Sequence, residues 1–273
     1  MFRIGTCSWT DQTLLSCGRF YPQEAKTAEQ RLRYYAAHFN TVEVDSTYYH
    51  LPAERNAHLW ALRTPADFIF NIKAYKSLTL HERGKQAEEL EWRMFASAIH
   101  PLHAAGKLGY VLFQFPPWFV CSPENQAYIL MCQERLPEYR LAIQFRHPSW
   151  LATREQAVTT LRWLRQHNLP YVVVDEPQFQ TRRTIPPVSV ATAADIAVLR
   201  FNGRNQKNWF AKNIPVYERF HYLYSPEELT SWVEPIKKLA TKASVVYIMF
   251  NNRFADDAIV NAREIIRQLR EVT

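Results

Sequence analysis

At 273 residues the chain has room for one large α/β domain or for two smaller ones. It is 47% hydrophobic and 22% charged, ordinary for a globular protein, and its 33 basic against 26 acidic residues leave +7, a mild excess that permits acidic ligands without requiring them. No apolar run of about 18 residues occurs, which excludes a membrane-spanning helix, and six glycines in all make glycine-rich phosphate loops scarce. Met1-Phe2-Arg3-Ile4-Gly5 enters a strand-like segment at once, without the layout of a signal peptide. Cys7, Cys17, Cys121 and Cys132 show no CxxC spacing and read as reduced thiols of a cytoplasmic protein.

Strand and helix signals then alternate from end to end. Arg3 to Trp9 reads as a strand, and Thr27 to Phe39 as a helix with Leu32, Tyr35, Ala36 and Phe39 at helical spacing. Thr41 to Tyr49 is a strand, Glu54 to Arg63 a helix ended by Pro65, and Phe68 to Ala74 a strand. Ala87 to Ala105 is a long helix closed by Gly106. Leu108 to Phe115 is a strand stopped by Pro116-Pro117, and Pro123 to Leu136 a helix. Leu141 to Arg146 is a strand, Arg154 to His167 a helix, and Tyr171 to Asp175 a strand. Glu176 to Asp195 is irregular, with Pro186-Pro187 and no helical period. Strand Ile196 to Asn202, helix Pro226 to Leu239, strand Val245 to Asn251 and helix Asp256 to Leu269 complete the chain.

Eight strands alternating with helices predict a parallel sheet covered by helices. The count and the length fit a single TIM-type (β/α)8 barrel domain spanning 1–273, with an irregular crossover between strands six and seven. An open doubly wound sheet is the alternative, weakened because no GxGxxG follows the first strand.

Several strands have one apolar and one polar face. Thr41-Val42-Glu43-Val44-Asp45 puts two carboxylates opposite two valines, and Ile69-Phe70-Asn71-Ile72-Lys73 repeats the pattern with an amide and an ammonium. The predicted inward set is Glu43, Asp45, Asn71, Lys73, Gln114, Gln144, Arg146, Asp175, Arg200, Asn202 and Asn251. Barrel sites form at the C-terminal ends of the strands and in the loops after them, where these residues fall. Interlocked ion pairs that only fill space are the structural alternative, since buried charges must be paired whatever their role. Polar groups on seven strands exceed what packing needs.

The loops Thr10 to Lys26, Tyr75 to Gln86 and Gly203 to Tyr224 are long. They mix Arg19, Lys76, Arg83, Lys85, Arg204, Lys207 and Lys212 with Phe20, Tyr21, Tyr75, Trp209 and Phe210. Gly203-Arg204-Asn205 and Asn252-Arg253 fall where barrels often bind phosphate. His100 and His103 read as a surface pair. His50 and His147 follow strands two and five and are candidates to join Asp45 or Asp175 around a metal, but cationic neighbours oppose a metal site and none is assigned. Cys7 reads as a small buried core thiol.

The motifs Ile4-Gly5-Thr6-Cys7-Ser8-Trp9, Val42-Glu43-Val44-Asp45-Ser46-Thr47-Tyr48-Tyr49, Lys73-Ala74-Tyr75, Phe113-Gln114-Phe115-Pro116-Pro117, Phe145-Arg146-His147-Pro148-Ser149-Trp150, Arg200-Phe201-Asn202-Gly203-Arg204-Asn205 and Phe250-Asn251-Asn252 occur in fixed order over nearly the whole chain. In these the chain resembles the YecE-like family, known as domain of unknown function 72. The resemblance implies a TIM-type barrel and supplies no activity. Two motifs depart from the family pattern: the usual Glu-Phe-Arg reads Gln144-Phe145-Arg146, and the usual Arg-x-His-Gly reads Arg200-Phe201-Asn202-Gly203.

The expectation is an enzyme acting on a phosphate-bearing small molecule or nucleotide, with its cofactor left open. Lys73, Arg146 and Arg200 would hold the anion, with Gln114, Gln144, Asn202, Arg204 and Asn251 as further ligand-binding residues. Asp45, Asp175 or Glu43 would carry the acid–base step. The alternatives are a nucleic-acid or anionic-ligand binding module without turnover, and a metal-dependent hydrolase.

Overall fold

In the computed structural model, which describes residues 1–180 and 184–271, the described residues form eight strands and nine helices. The strands are β1 (Phe2–Thr6), β2 (Thr41–Val44), β3 (Ile69–Lys73), β4 (Leu108–Gln114), β5 (Leu141–Gln144), β6 (Val172–Asp175), β7 (Ile196–Phe201) and β8 (Val245–Phe250). The helices are α1 (Gln12–Cys17), α2 (Ala28–Ala36), α3 (Glu54–Leu62), α4 (Glu89–Ala104), α5 (Pro123–Arg135), α6 (Arg154–Gln166), α7 (Val216–Arg219), α8 (Pro226–Ala240) and α9 (Asp257–Glu271). Capping boxes start four of them: Thr27 with Gln30, Glu88 with Glu91, Thr153 with Gln156, and Ser225 with Glu228. Ser122 caps α5, with Pro123 in the first helical position.

Three local readings change. The second strand ends at Val44, and Asp45–Tyr48 coils into a single 3-10 turn whose Thr47 hydroxyl lies 2.6 Å from the Lys73 carbonyl. Helix α1 lies in a stretch read as loop; Asp11 starts it by accepting the Thr13 N–H at 2.9 Å. Helix α7 does the same after β7. Six and four residues are too few for a helical period to register. Between β6 and β7 the described residues hold no helix, as expected.

The strands pair in parallel as two four-stranded sheets, β1-β8-β7-β6 and β2-β3-β4-β5, and not as one continuous ladder of eight. At the β1/β2 junction side chains replace the ladder. The Asn40 amide accepts from Ile4 N–H at 3.0 Å and donates to Phe2 O at 3.1 Å, and the Tyr35 hydroxyl accepts from Thr6 N–H at 2.8 Å. The backbones approach so closely there that a Cβ on Gly5 would collide with the Thr41 carbonyl. At the β5/β6 junction there is one bridge, Ile143 to Tyr171, with Ile143 N–H donating to Pro170 O at 2.8 Å.

Apolar side chains on the inner faces form one cluster drawn from both sheets: Tyr110, Leu112, Ala142, Val172, Val174, Val198, Tyr247 and Met249, with Cys7. The outer faces pack on the helices; Phe201 stacks on Phe250 at 4.7 Å and meets Trp232 of α8 edge-on. Parity along β6 follows. Val172 and Val174 point inward, so Val173 and Asp175 point outward.

Asp175 is therefore not in the pocket predicted for it. It is buried beneath α8, where its carboxylate accepts from Tyr224 Oη at 2.7 Å, Trp232 Nε1 at 3.0 Å and Arg204 Nη2 at 2.6 Å. Arg204 is likewise displaced from the ligand-binding set, because Asp175 and Glu228 (3.0 Å) occupy its guanidinium. Gly203 adopts φ 82° and donates its N–H to Tyr224 Oη at 2.9 Å, and Asn205 holds the carbonyls of Glu218 and His221. The motif read as a phosphate loop pins its own loop to the outer face of the sheet.

Asp175→Ala should therefore act on stability. Removing one partner of a buried ion pair costs about 3–5 kcal/mol. The denaturant midpoint should fall accordingly, while the folded protein binds small anions with unchanged affinity. An unshifted midpoint would remove Asp175 from this structural role.

Candidate functional site

The C-terminal strand ends converge on one cavity of about 160 Å³. Lys73 ends β3 and Gln114 ends β4; Arg146, Glu176, Asn202, Asn251 and Arg253 come one to three residues after the next four strands. The loops add Tyr48, His81, Trp209, Arg219 and Phe220. A cavity of about 500 Å³ opens elsewhere, around Phe2, Phe39, Asp67 and Arg270, but gathers no comparable chemistry.

Arg200 is the centre of the floor. Fully buried on β7, it reaches across to the other sheet: Nη2 lies 2.6 Å from Glu43 Oε1, and Nη1 donates to Gln144 Oε1 at 2.8 Å. Tyr110 donates to the other Glu43 oxygen at 2.9 Å. Asp45 is buried beside them and its oxygens accept no hydrogen bond among the described residues, yet Arg253 Nη1 lies 3.3 Å and Arg200 Nη2 3.7 Å away. Burial opposes the charge of Asp45, but Lys73, Arg253 and Arg200 outweigh it and hold the carboxyl below its usual value. Burial and the neighbouring Asp45 push Glu43 the other way, against Arg200. The Cys7 thiol is pushed well up by burial and stays neutral, as a core thiol.

Above the floor the balance turns positive. Four cations (Lys73, Arg146, Arg219, Arg253) line the cavity against one carboxylate, Glu176. Among the described residues neither Lys73 nor Arg146 has a carboxylate in ion-pair contact; the Lys73 ammonium sits 4.9 Å over the Tyr48 ring. Lys107 gives the contrast. Buried at the end of α3, it donates to Ala61 O (2.7 Å), Thr64 O (2.8 Å), Thr64 Oγ1 (3.0 Å) and Pro65 O (2.8 Å). A lysine with only structural work looks like that.

Two groups in the pocket have shifted protonation. Burial, then Lys73 and Arg146, push His81 down to about 3, so its imidazole is neutral at pH 7. The Thr79 hydroxyl lies 2.8 Å from His81 Nδ1 and 3.2 Å from Lys76 O and fixes the ring in place. Burial raises Glu176, partly offset by the Ile185 N–H at 2.9 Å, by Arg146 and by Asn202.

Of the predicted residues, Lys73, Gln114, Arg146, Asn202 and Asn251 line the cavity. Glu43, Asp45, Gln144 and Arg200 lie beneath it as a buried network, and Asp175 and Arg204 lie outside it. His50 is exposed, and His147 is engaged with Ser149, so neither joins Asp45. Sequence reading missed Glu176, His81, Arg219 and Tyr48. Glu176 was recoverable: β6 pairs Val174 with Arg200 and Asp175 with Phe201, so the residue after Asp175 shares the inward parity of Arg200. His81 sits in an aperiodic loop and Arg219 ends the four-residue α7, and neither left such a signal.

With this geometry in view, comparison with known proteins is informative. A family model described as protein of unknown function DUF72 matches residues 3–273. The UPF0759 protein YunF of Bacillus subtilis is 34% identical over 279 aligned positions, covering 98% of this chain and 95% of YunF. The crystal structure of a DUF72 family protein from Thermotoga maritima is 35% identical with a TM-score of 0.85, covering 99% of each chain. One from Enterococcus faecalis is 27% identical with a TM-score of 0.86, covering 99% of this chain and 96% of that one. The motif resemblance is thus borne out over the whole fold, and the chain belongs to the DUF72 family.

Proposed function

We propose that the chain is a single-domain TIM-type (β/α)8 barrel enzyme that binds a phosphate-bearing small molecule in the cavity at its strand ends. Closure of the two sheets into one barrel is supported by their shared inner cluster, by the Ile143–Tyr171 bridge and by the Asn40 and Tyr35 links. The observation that carries the ligand reading is the pair Lys73 and Arg146, half-buried cations with no carboxylate in contact among the described residues. Desolvated cations are retained at a cost unless an anion neutralises them. A cavity of about 160 Å³ falls below the ~300–1,000 Å³ of drug-sized pockets, which favours a compact molecule over an enclosed nucleotide.

Glu176 is the group suited to move a proton. It lines the cavity, and burial displaces its ionisation towards neutrality, partly offset by the Ile185 N–H, Arg146 and Asn202. Glu43 and Asp45 stand behind it and supply counter-charge. The second reading is a single-stranded nucleic acid. Tyr49 and Trp118 are exposed near the mouth, and Arg83 stacks 4.5 Å over Trp118. A steep loss of affinity with salt would mark the polymer.

Inorganic phosphate or sulfate should bind and stabilise the protein. A charge-assisted bond contributes about 1.5–3 kcal/mol, so Arg146→Ala should weaken binding about tenfold or more, measured by calorimetry. Arg204→Ala, measured on folded protein, should change it less than twofold. Equal effects of the two changes would place the anion elsewhere.

The pH dependence has a definite sign. A bound anion beside Glu176 raises its pKa further, so binding takes up a proton and strengthens as pH falls. Sulfate keeps constant charge between pH 5 and 8, where His81 stays neutral, and its affinity should rise severalfold across that range. Glu176→Gln should flatten the profile. A flat wild-type profile would mean Glu176 does not face the anion.

A further inference from the structure

Glu176, Asn202 and Asn251 form a chain of hydrogen bonds whose direction is set at one end. Glu176 Oε1 accepts the Ile185 N–H at 2.9 Å, and Oε2 lies 3.5 Å from Asn202 Nδ2. In its ionised form Glu176 only accepts, which turns the Asn202 NH2 towards it and the Asn202 oxygen away. That oxygen accepts from Asn251 Nδ2 at 2.9 Å. The Asn251 carbonyl oxygen is what remains. It is buried, on a residue only 4% exposed that lines the cavity, and nothing among the described residues donates to it. A buried acceptor left without a donor is costly, which marks a place for a ligand donor.

The donor is constrained by its surroundings. Arg253 and Lys73 line the same cavity, so a cationic donor such as an ammonium is repelled, and a neutral hydroxyl fits. Gln114 lines the cavity too and makes no side-chain hydrogen bond among the described residues, which leaves it open to a second hydroxyl. Tyr48, Trp209 and Phe220 add aromatic carbon to the lining, against which a short carbon skeleton can pack.

We infer that the ligand is a compact hydroxylated phosphate ester, a small sugar phosphate, whose hydroxyl donates to Asn251 Oδ1 while its phosphate sits on Lys73 and Arg146. This rests on the anion-binding reading and narrows it to a substrate class. The cations recognise the phosphate; the oriented amides select for hydroxyls on the chain that carries it.

The test is calorimetric titration of wild-type protein with inorganic phosphate, with triose, tetrose and pentose phosphates, and with alkyl phosphates of matched length. At least one sugar phosphate should bind tenfold or more tightly than its alkyl counterpart. Asn251→Leu, where it folds, should reduce that preference below threefold and leave inorganic phosphate within twofold. Sugar and alkyl phosphates of equal affinity would overturn the inference and leave the anion reading standing. A preference undiminished in folded Asn251→Leu would overturn the role given to Asn251. Failure of every phosphate, inorganic included, would overturn both readings. The panel on wild-type protein decides the main point even if the variant does not fold.

Discussion

A guanidinium with no exposure to water sits between two sheets, and much of the site follows from neutralising it. Arg200 leaves β7 and finds Glu43 on β2 and Gln144 on β5. Burying one charge costs several kcal/mol unless it is paired and hydrogen-bonded. Glu43 meets that need only because Tyr110 takes its second oxygen. The network joins the inner faces of both sheets near their C-terminal ends, just beneath the cavity. It is a specific lock between the halves, and it places a fixed charge pattern beneath the cavity.

That pattern determines what the cavity can hold. Asp45, below its usual pKa, is counter-ion to Arg200, Arg253 and Lys73 together, and no single cation has it alone. One carboxylate shared three ways leaves the upper cations under-neutralised. Arg146 meets a similar deficit on the other side, where burial lowers its pKa and Glu176 only partly restores it. The positive character of the site is thus local. The overall +7 of the chain says little about it, since exposed basic residues such as Arg19, Arg33 and Arg267 are paired with Asp256, Glu29 and Glu264.

Alternation was readable in the sequence wherever a strand mixes polar with apolar residues. Glu43, Lys73, Gln144 and Arg200 were placed inward that way, and their faces are inward. Strand β6 has no such contrast. Three consecutive valines carry no period, so the acidic residue ending the strand was taken for an inward one, when its neighbour Glu176 holds that parity. Arg204 failed for a different reason. A basic residue beside a glycine in a barrel loop resembles a phosphate contact, but its partners Asp175 and Glu228 are 29 and 24 positions away, and nothing local announces them. His81 and Arg219 are brought in by a loop and by the four-residue α7, and neither leaves a periodic trace.

The two amides that replace the family's usual acid and imidazole have separable consequences. Gln144 accepts from Arg200 as a carboxylate would, without adding a charge. A glutamate there would put a third carboxylate around one guanidinium, beside Glu43 and Asp45, and would draw Arg200 away from them. The amide therefore preserves the share of Asp45 that reaches Lys73 and Arg253. Asn202 stands where an imidazole would titrate near neutral pH, and an amide does not. What Asn202 transmits is direction: the carboxylate at one end orients it, and it orients Asn251 in turn. In the proposed site the proton-carrying role then contracts to Glu176, and the amides select the ligand by hydrogen-bond polarity. A pocket arranged in this way is strict about which groups of a ligand donate and which carry charge, and it depends on one carboxylate for both its chemistry and its selectivity.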